Sequence, residues 1–114
     1  MHSVLIVEDE WLVAETLRVD LEERGFAVLG PAFGCSDALA ILAEHNPDLA
    51  FVDTQLGDET CEVVLDDCDK RGISVVIFSG HSDEGLPAFA RGRKVLAKPY
   101  LPRSLEDLLA DAFE

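Results

Sequence analysis

The sequence predicts an α/β fold of the doubly wound kind: a five-stranded parallel sheet in the order 2-1-3-4-5 with helices on both faces. Three observations carry this expectation. Short apolar runs alternate with segments of helical period along the whole chain. The runs are mostly continuous rather than in-out alternating, as strands covered on both faces are. Each run also stops at a chemically able group. The run at 4–7 ends at Glu8 and Asp9, that at 49–52 at Asp53, that at 75–78 at Ser79, and that at 95–97 at Lys98. Ligands of an open parallel sheet bind beyond the carboxyl ends of its strands, so one rim should gather these groups.

Taken in order, strands are expected at about 3–8, 26–30, 48–53, 73–78 and 94–97. The first helix opens at Asp9 or Glu10, turns Val13, Leu17 and Leu21 to one face, and stops at Gly25. Ser36 can cap the second, which ends at Asn46-Pro47 because proline disfavours helix in the residue before it. Asp58 can cap the third. Its Cys61, Val64, Leu65 and Cys68 follow i, i+3, i+4, i+7, a core stripe, and Gly72 ends it. Between Ser79 and Val95 the residues Gly85, Pro87 and Gly92 interrupt helix, so one short helix or none is expected there. The last helix starts near Pro102 and carries Leu105, Leu108, Leu109 and Ala112 on one side. Strands one and three are neighbours in this order, which brings Glu8, Asp9 and Asp53 together.

Composition narrows the partners. Nine Lys and Arg stand against 23 Asp and Glu, a formal charge of −14. Such acidity disfavours nucleic-acid backbones and anionic membranes and suits metal cations or basic protein surfaces. The basic residues Arg91, Arg93 and Lys94 form a candidate contact face, with plain solvated surface as the simpler reading. Three cysteines leave one unpaired in any disulfide scheme and lack zinc-type spacing, so reduced, packed thiols are expected. Met1-His2-Ser3 leads straight into an apolar run without a basic stretch or cleavage site. No apolar run approaches the ~20 residues of a membrane span. A single domain over 1–114 in the cytoplasm is the expectation.

Three carboxylates at adjacent strand ends repel one another and raise each other's pKa values. A hard divalent cation relieves the conflict, and Mg²⁺ prefers octahedral oxygen ligation beside a few carboxylates. Glu8, Asp9 and Asp53 can supply carboxylate oxygens and Gln55 its backbone carbonyl, although Asp9 also serves as a plain helix cap. Lys98 can hold a phosphoryl oxygen as a point charge, and the Ser79 hydroxyl can donate to the same group. Together they suggest phosphoryl transfer to the Asp53 carboxylate. Trp11 lies close to Asp9, where it can report on metal binding by fluorescence, with a plain amphipathic helix-start residue as the simpler reading.

The segments Val7-Glu8-Asp9-Glu10, Phe51-Val52-Asp53, Phe78-Ser79-Gly80 and Ala97-Lys98-Pro99-Tyr100 occur in this order at successive strand ends. In this the whole chain resembles the receiver domain of bacterial two-component response regulators, of the stand-alone kind without an output domain. The resemblance implies a flavodoxin-like fold, with Asp53 as phosphoacceptor and Glu8 and Asp9 as the acidic pair that holds Mg²⁺. It makes Ser79 the hydroxyl switch residue and Lys98 the phosphate-contacting lysine. It further implies a histidine kinase or histidine phosphotransfer protein as donor, an unidentified downstream protein, and a switch or phosphate sink rather than an enzyme. Gln55 and His81, two residues beyond Asp53 and Ser79, are placed to tune dephosphorylation.

Several positions depart from the commonest receiver pattern. Glu8 replaces an aspartate, Gly57 stands where many members have proline, and Val95 stands where many carry a switching Tyr or Phe. The short stretch from Ser79 to Lys98 resembles a subgroup of single-domain receivers with a reduced fourth helix. Two rival readings remain. An aspartyl phosphatase would want a general acid two residues after its nucleophile, where this chain has Gln55. A binding module that never accepts phosphate would not need the full acidic and lysine set.

Overall fold

The computed structural model describes residues 1–80 and 85–113. Its elements run β1 (Ser3–Val7), α1 (Trp11–Glu23), β2 (Ala27–Ala32), α2 (Cys35–Glu44), β3 (Leu49–Val52), β4 (Gln55–Leu56), β5 (Glu59–Thr60), α3 (Glu62–Arg71), β6 (Ser74–Ser79), β7 (Lys94–Ala97) and α4 (Pro102–Phe113). The main sheet has the order β2-β1-β3-β6-β7 and every pairing in it is parallel. With the small β4–β5 hairpin set aside, this is the predicted 2-1-3-4-5 arrangement.

Alternation along each strand divides the core in two. Leu5, Val7, Ala50, Val52 and Ile77 face α2 and α3, where they pack with Ala38, Leu42, Val64, Leu65 and Cys68. Val4, Ile6, Leu49, Phe51, Val76, Phe78 and Leu96 face α1 and α4, where they meet Leu17, Leu21, Leu105 and Leu109. Both faces being buried explains the unbroken apolar runs. Phe51 and Phe78 meet edge to face at 6.5 Å in the second layer, so neighbouring strands are matched by shape as well as by hydrophobicity.

Three expectations need correction. The residues after Asp53 form an antiparallel hairpin, Gln55↔Thr60 and Leu56↔Glu59. Gly57-Asp58 is its two-residue turn, with Gly57 at φ +58, so Asp58 does not cap α3, which begins at Glu62 with Cys61 at the capping position. The expected stripe survives, since Cys61, Val64, Leu65 and Cys68 are all buried. Ser36 does not cap α2 either, because Gly34 in extended backbone takes that place and the helix starts at Cys35. The last helix's stripe stops short, since Ala112 is exposed while Leu105 and Leu109 are buried. Between β6 and β7 the described residues hold one 3-10 turn, Ala88–Ala90, in place of a full helix, as the interrupting Gly and Pro residues predict.

Two of the basic residues at the entry to β7 make ion pairs within the fold. Arg93 makes a two-point hydrogen bond to Asp69 of α3 at 3.1 and 2.7 Å, and Lys94 pairs with Asp111 of α4. Among the described residues no helix is long and apolar enough to cross a membrane.

Candidate functional site

Strand alternation that builds the core also aims the site. Glu8, Asp53 and Lys98 each follow their strands at the parity of Ile6, Phe51 and Leu96, the layer facing α1 and α4. The β1–β3 register sets Val7 against Val52, so Glu8 and Asp53 emerge side by side. Lys98 comes from β7, one strand further away, and reaches back across β6 to them.

The lysine ammonium donates to Glu8 Oε1 and to Asp53 Oδ2, the latter at 2.8 Å. On the way it passes 5.0 Å above the Phe78 ring. The second Glu8 oxygen accepts from the Glu10 N–H at 3.1 Å, and Asp53 Oδ1 accepts from the Gln55 N–H at 3.0 Å. Asp9 turns to the hairpin, where its Oδ2 accepts from the Gly57 N–H at 2.9 Å. That contact replaces the helix-cap role open to Asp9 in the sequence. It also explains what glycine offers at 57, because proline would have no N–H to give.

Glu8 is fully buried, whereas the Asp53 side chain keeps 14% of its surface open. Burial pushes the Glu8 carboxyl above the usual range, against the opposing hydrogen bonds from Lys98 and the Glu10 N–H. For Lys98 burial pulls downward, but hydrogen bonds to Asp53 and Glu8 outweigh it and the ammonium is held above its ordinary value. The lysine therefore stays charged where the carboxylates need it.

Glu8, Asp9 and Asp53 each bring a carboxylate oxygen within 4.8 Å of the others. Fully ionised, these three acids and one ammonium carry two net negative charges, which a divalent cation would cancel. Hard oxygen donors on three separate carboxylates suit such an ion. Ser79 is buried at the end of β6, and its carbonyl accepts the Lys98 N–H at 2.9 Å. Gln55 lies at the site through its backbone, while its side chain donates to the Gly57 carbonyl at 2.7 Å. His81 lies outside the described residues.

Asp53, Ser79 and Lys98 open into a groove of about 680 Å³ between α1 and the turns after β6 and β7. Leu12, Val13 and Pro102 supply much of its apolar wall, and Asp20 and Tyr100 lie along it. Sequence reasoning missed four participants: Phe78, Asp20, Tyr100 and the Gly57 N–H. The parity rule could have found Phe78, which lies between the Asp53 and Lys98 positions on the same face. Gly57-Asp58 is a hairpin signal in its own right. Asp20 and Tyr100 are 80 residues apart in the chain and carry no mark of their pairing.

Comparison with known proteins agrees with this geometry. Residues 4–110 match the family model of the response regulator receiver domain. The solution structure of SdrG from Sphingomonas melonis superposes with a TM-score of 0.86 at 31% identity, covering 100% of this chain and 98% of that one. Protein PilG of Pseudomonas aeruginosa is 31% identical over 94% of this chain and 82% of its own length. The transcriptional regulatory protein PdtaR of Mycobacterium tuberculosis is 29% identical over 95% of this chain but only 53% of its own length, so the chain spans about half of that relative. With the fold, the strand-end acids and the lysine all in place, this chain belongs to the response regulator receiver domain family.

Proposed function

We propose that this chain is a phosphoacceptor of a two-component or phosphorelay system, taking a phosphoryl group onto Asp53 from a histidine kinase or a histidine phosphotransfer protein. One arrangement carries the reading: a partly open aspartate beside a groove, held between a lysine ammonium and two further carboxylates. An Asp53 oxygen attacks phosphorus in line. The O–P bond forms as the donor's P–N bond breaks, and the imidazole leaves with the electron pair and takes up a proton. Lys98 holds a phosphoryl oxygen, and the Ser79 hydroxyl donates to another. Glu8, Asp9, Asp53 and the Gln55 carbonyl would hold Mg²⁺, which would supply positive charge to offset that of the transferring phosphoryl group. Gln55 and His81 tune the hydrolysis that returns the chain to rest. The phosphorylated chain acts by switching the binding of a downstream protein or by serving as a phosphate sink in the cytoplasm, and it is a stoichiometric acceptor rather than an enzyme.

The test is phosphoryl incorporation from a small acyl-phosphate donor with Mg²⁺, read by intact mass. The wild type is expected to gain one phosphoryl group and the Asp53→Asn variant none. Equal labelling of wild type and variant would refute the assignment of Asp53. Steady turnover of a phosphomonoester would refute the acceptor reading and favour a phosphatase.

Metal binding gives a second prediction. At ten times its dissociation constant Mg²⁺ is expected to stabilise the native chain by about 1.4 kcal/mol. For a domain of this size that raises the melting temperature by roughly 5 °C. Trp11, exposed at the start of α1 two residues beyond Asp9, should change its emission over the same titration. A melting curve indifferent to Mg²⁺ would count against the site.

A further inference from the structure

We infer that Tyr100 is a positioning residue for Lys98, acting through its hydrogen bond to Asp20 of α1 and its ring contact with Phe78. The inference rests on the phosphoacceptor reading above and deepens it.

Lys98 must cross an entire strand to reach Asp53, so its aim depends on what lies beneath it and on the turn it leaves from. Beneath it is Phe78, whose ring centroid is 5.0 Å from the ammonium nitrogen. Tyr100 packs against the same ring with centroids 6.0 Å apart. The Tyr100 hydroxyl donates to Asp20 Oδ2, a charge-assisted bond between parts of the chain 80 residues apart. Asp20 makes a firm post, because Leu17 and Leu21 beside it on α1 are fully buried.

The turn between β7 and α4 has few other anchors. Its backbone is tied at Lys98, whose N–H donates to the Ser79 carbonyl at 2.9 Å. Pro99 and Leu101, on either side of Tyr100, are exposed. Tyr100 is half-buried and is the residue that fastens this turn to α1. Burial and the neighbouring Asp20 carboxylate both raise the phenol pKa, so the hydroxyl remains a donor at neutral pH. A contact chain thus runs from α1 through Asp20, Tyr100 and Phe78 to the ammonium. Without the phenolic bond the ring is free to tilt, the Phe78 platform shifts, and Lys98 loses its line to Asp53. Aromatic support of the lysine comes from Phe78, with Tyr100 packed against it.

The experiment uses Tyr100→Phe, Asp20→Leu, their double variant and the conservative Asp20→Asn, which keeps an acceptor oxygen. Phosphoryl uptake is measured at saturating Mg²⁺ and acyl-phosphate donor, with urea unfolding alongside. Tyr100→Phe and Asp20→Leu are each expected to slow uptake roughly five- to tenfold, in line with loss of one net hydrogen bond. The double variant should be no slower than either single one, and Asp20→Asn should approach wild type. An independent reading is the Lys98 side-chain Cε resonance in the unphosphorylated, metal-free chain, which should move toward that of a free lysine in Tyr100→Phe. A bond that only stabilises the fold would lower the unfolding free energy and leave saturated uptake and the Lys98 resonance unchanged, and that result overturns the inference. Additive losses in the double variant overturn it too. If the wild type takes up no phosphoryl group, the parent reading fails, and the Lys98 resonance still decides the positioning role.

Discussion

Replacing Lys98 with methionine is expected to destabilise the metal-free chain by about 2–3 kcal/mol near pH 8 and by clearly less near pH 5. Methionine keeps an aliphatic stem over Phe78, so the change is mainly one of charge. It leaves Glu8 fully buried with the Glu10 N–H as its remaining partner, and Asp53 with the Gln55 N–H. A buried carboxylate that loses its cation takes up a proton, which sets a ceiling on the loss. Holding a carboxyl of ordinary pKa near 4.5 protonated at pH 7.5 costs about 4 kcal/mol.

The sign of the pH dependence follows from the raised Glu8 pKa. Below the unfolded value Glu8 is protonated in both states and contributes nothing. Above it the unfolded chain releases the proton while the native chain keeps it, so stability falls with rising pH until the native pKa is reached. Removing the ammonium takes away a pKa-lowering hydrogen bond and widens that window upward. Lys98 is itself held above its ordinary value, so its own contribution is fully present below about pH 10.5 and is constant between pH 5 and 8. Urea unfolding of both proteins in a metal chelator at pH 5 and pH 8 tests this. A loss that does not grow with pH would show that burial of Glu8 is not what Lys98 relieves.

How far the sequence could be read depended on whether a feature was local or came from chain crossing. Strand positions were legible because burial on both faces demands unbroken apolar runs, and 4–7 and 49–52 are such runs. Glu8, Asp53 and Lys98 were legible because each ends one of them. The hairpin after Asp53 was less so, since Asp58 in a Gly-Asp turn and Asp58 as a helix cap draw on the same residue preferences. Ser36 misled for a similar reason: serine favours caps, but extended Gly34 holds that place and the helix begins two residues earlier than a Ser36 cap would set it. The Asp20–Tyr100 bond and the Asp9–Gly57 contact depend on tertiary closure alone. No local period announces either, although the second is where glycine rather than proline at 57 becomes intelligible.

The bend that closes β2 over β1 is the second place where a single atom should matter greatly. Gly30 has φ +92, and a Cβ added there would stand 2.7 Å from the Ala32 nitrogen and 3.0 Å from the Ile6 carbonyl oxygen. Both neighbours are backbone, so neither can swing aside. The β1–β2 register breaks at this point, passing from Leu5↔Leu29 to Val7↔Ala32. The Ala32 carbonyl in turn accepts the Glu8 N–H at 3.0 Å, so whatever moves Ala32 moves the first acid of the site. Gly30→Ala is expected to lose about 2–4 kcal/mol, combining left-handed strain with backbone overlap. Gly25→Ala is the matched control, because Gly25 has φ +88 but nothing within 4 Å of an added Cβ. It should lose only about 1 kcal/mol, the conformational part alone. The Gly30 variant should also respond more weakly to Mg²⁺ in thermal melts, since the shift runs directly into Glu8, while the Gly25 variant should respond as wild type. Equal losses in the two variants, or an unaltered Mg²⁺ response in Gly30→Ala, would mean that the β1–β2 bend relaxes without disturbing the acidic rim.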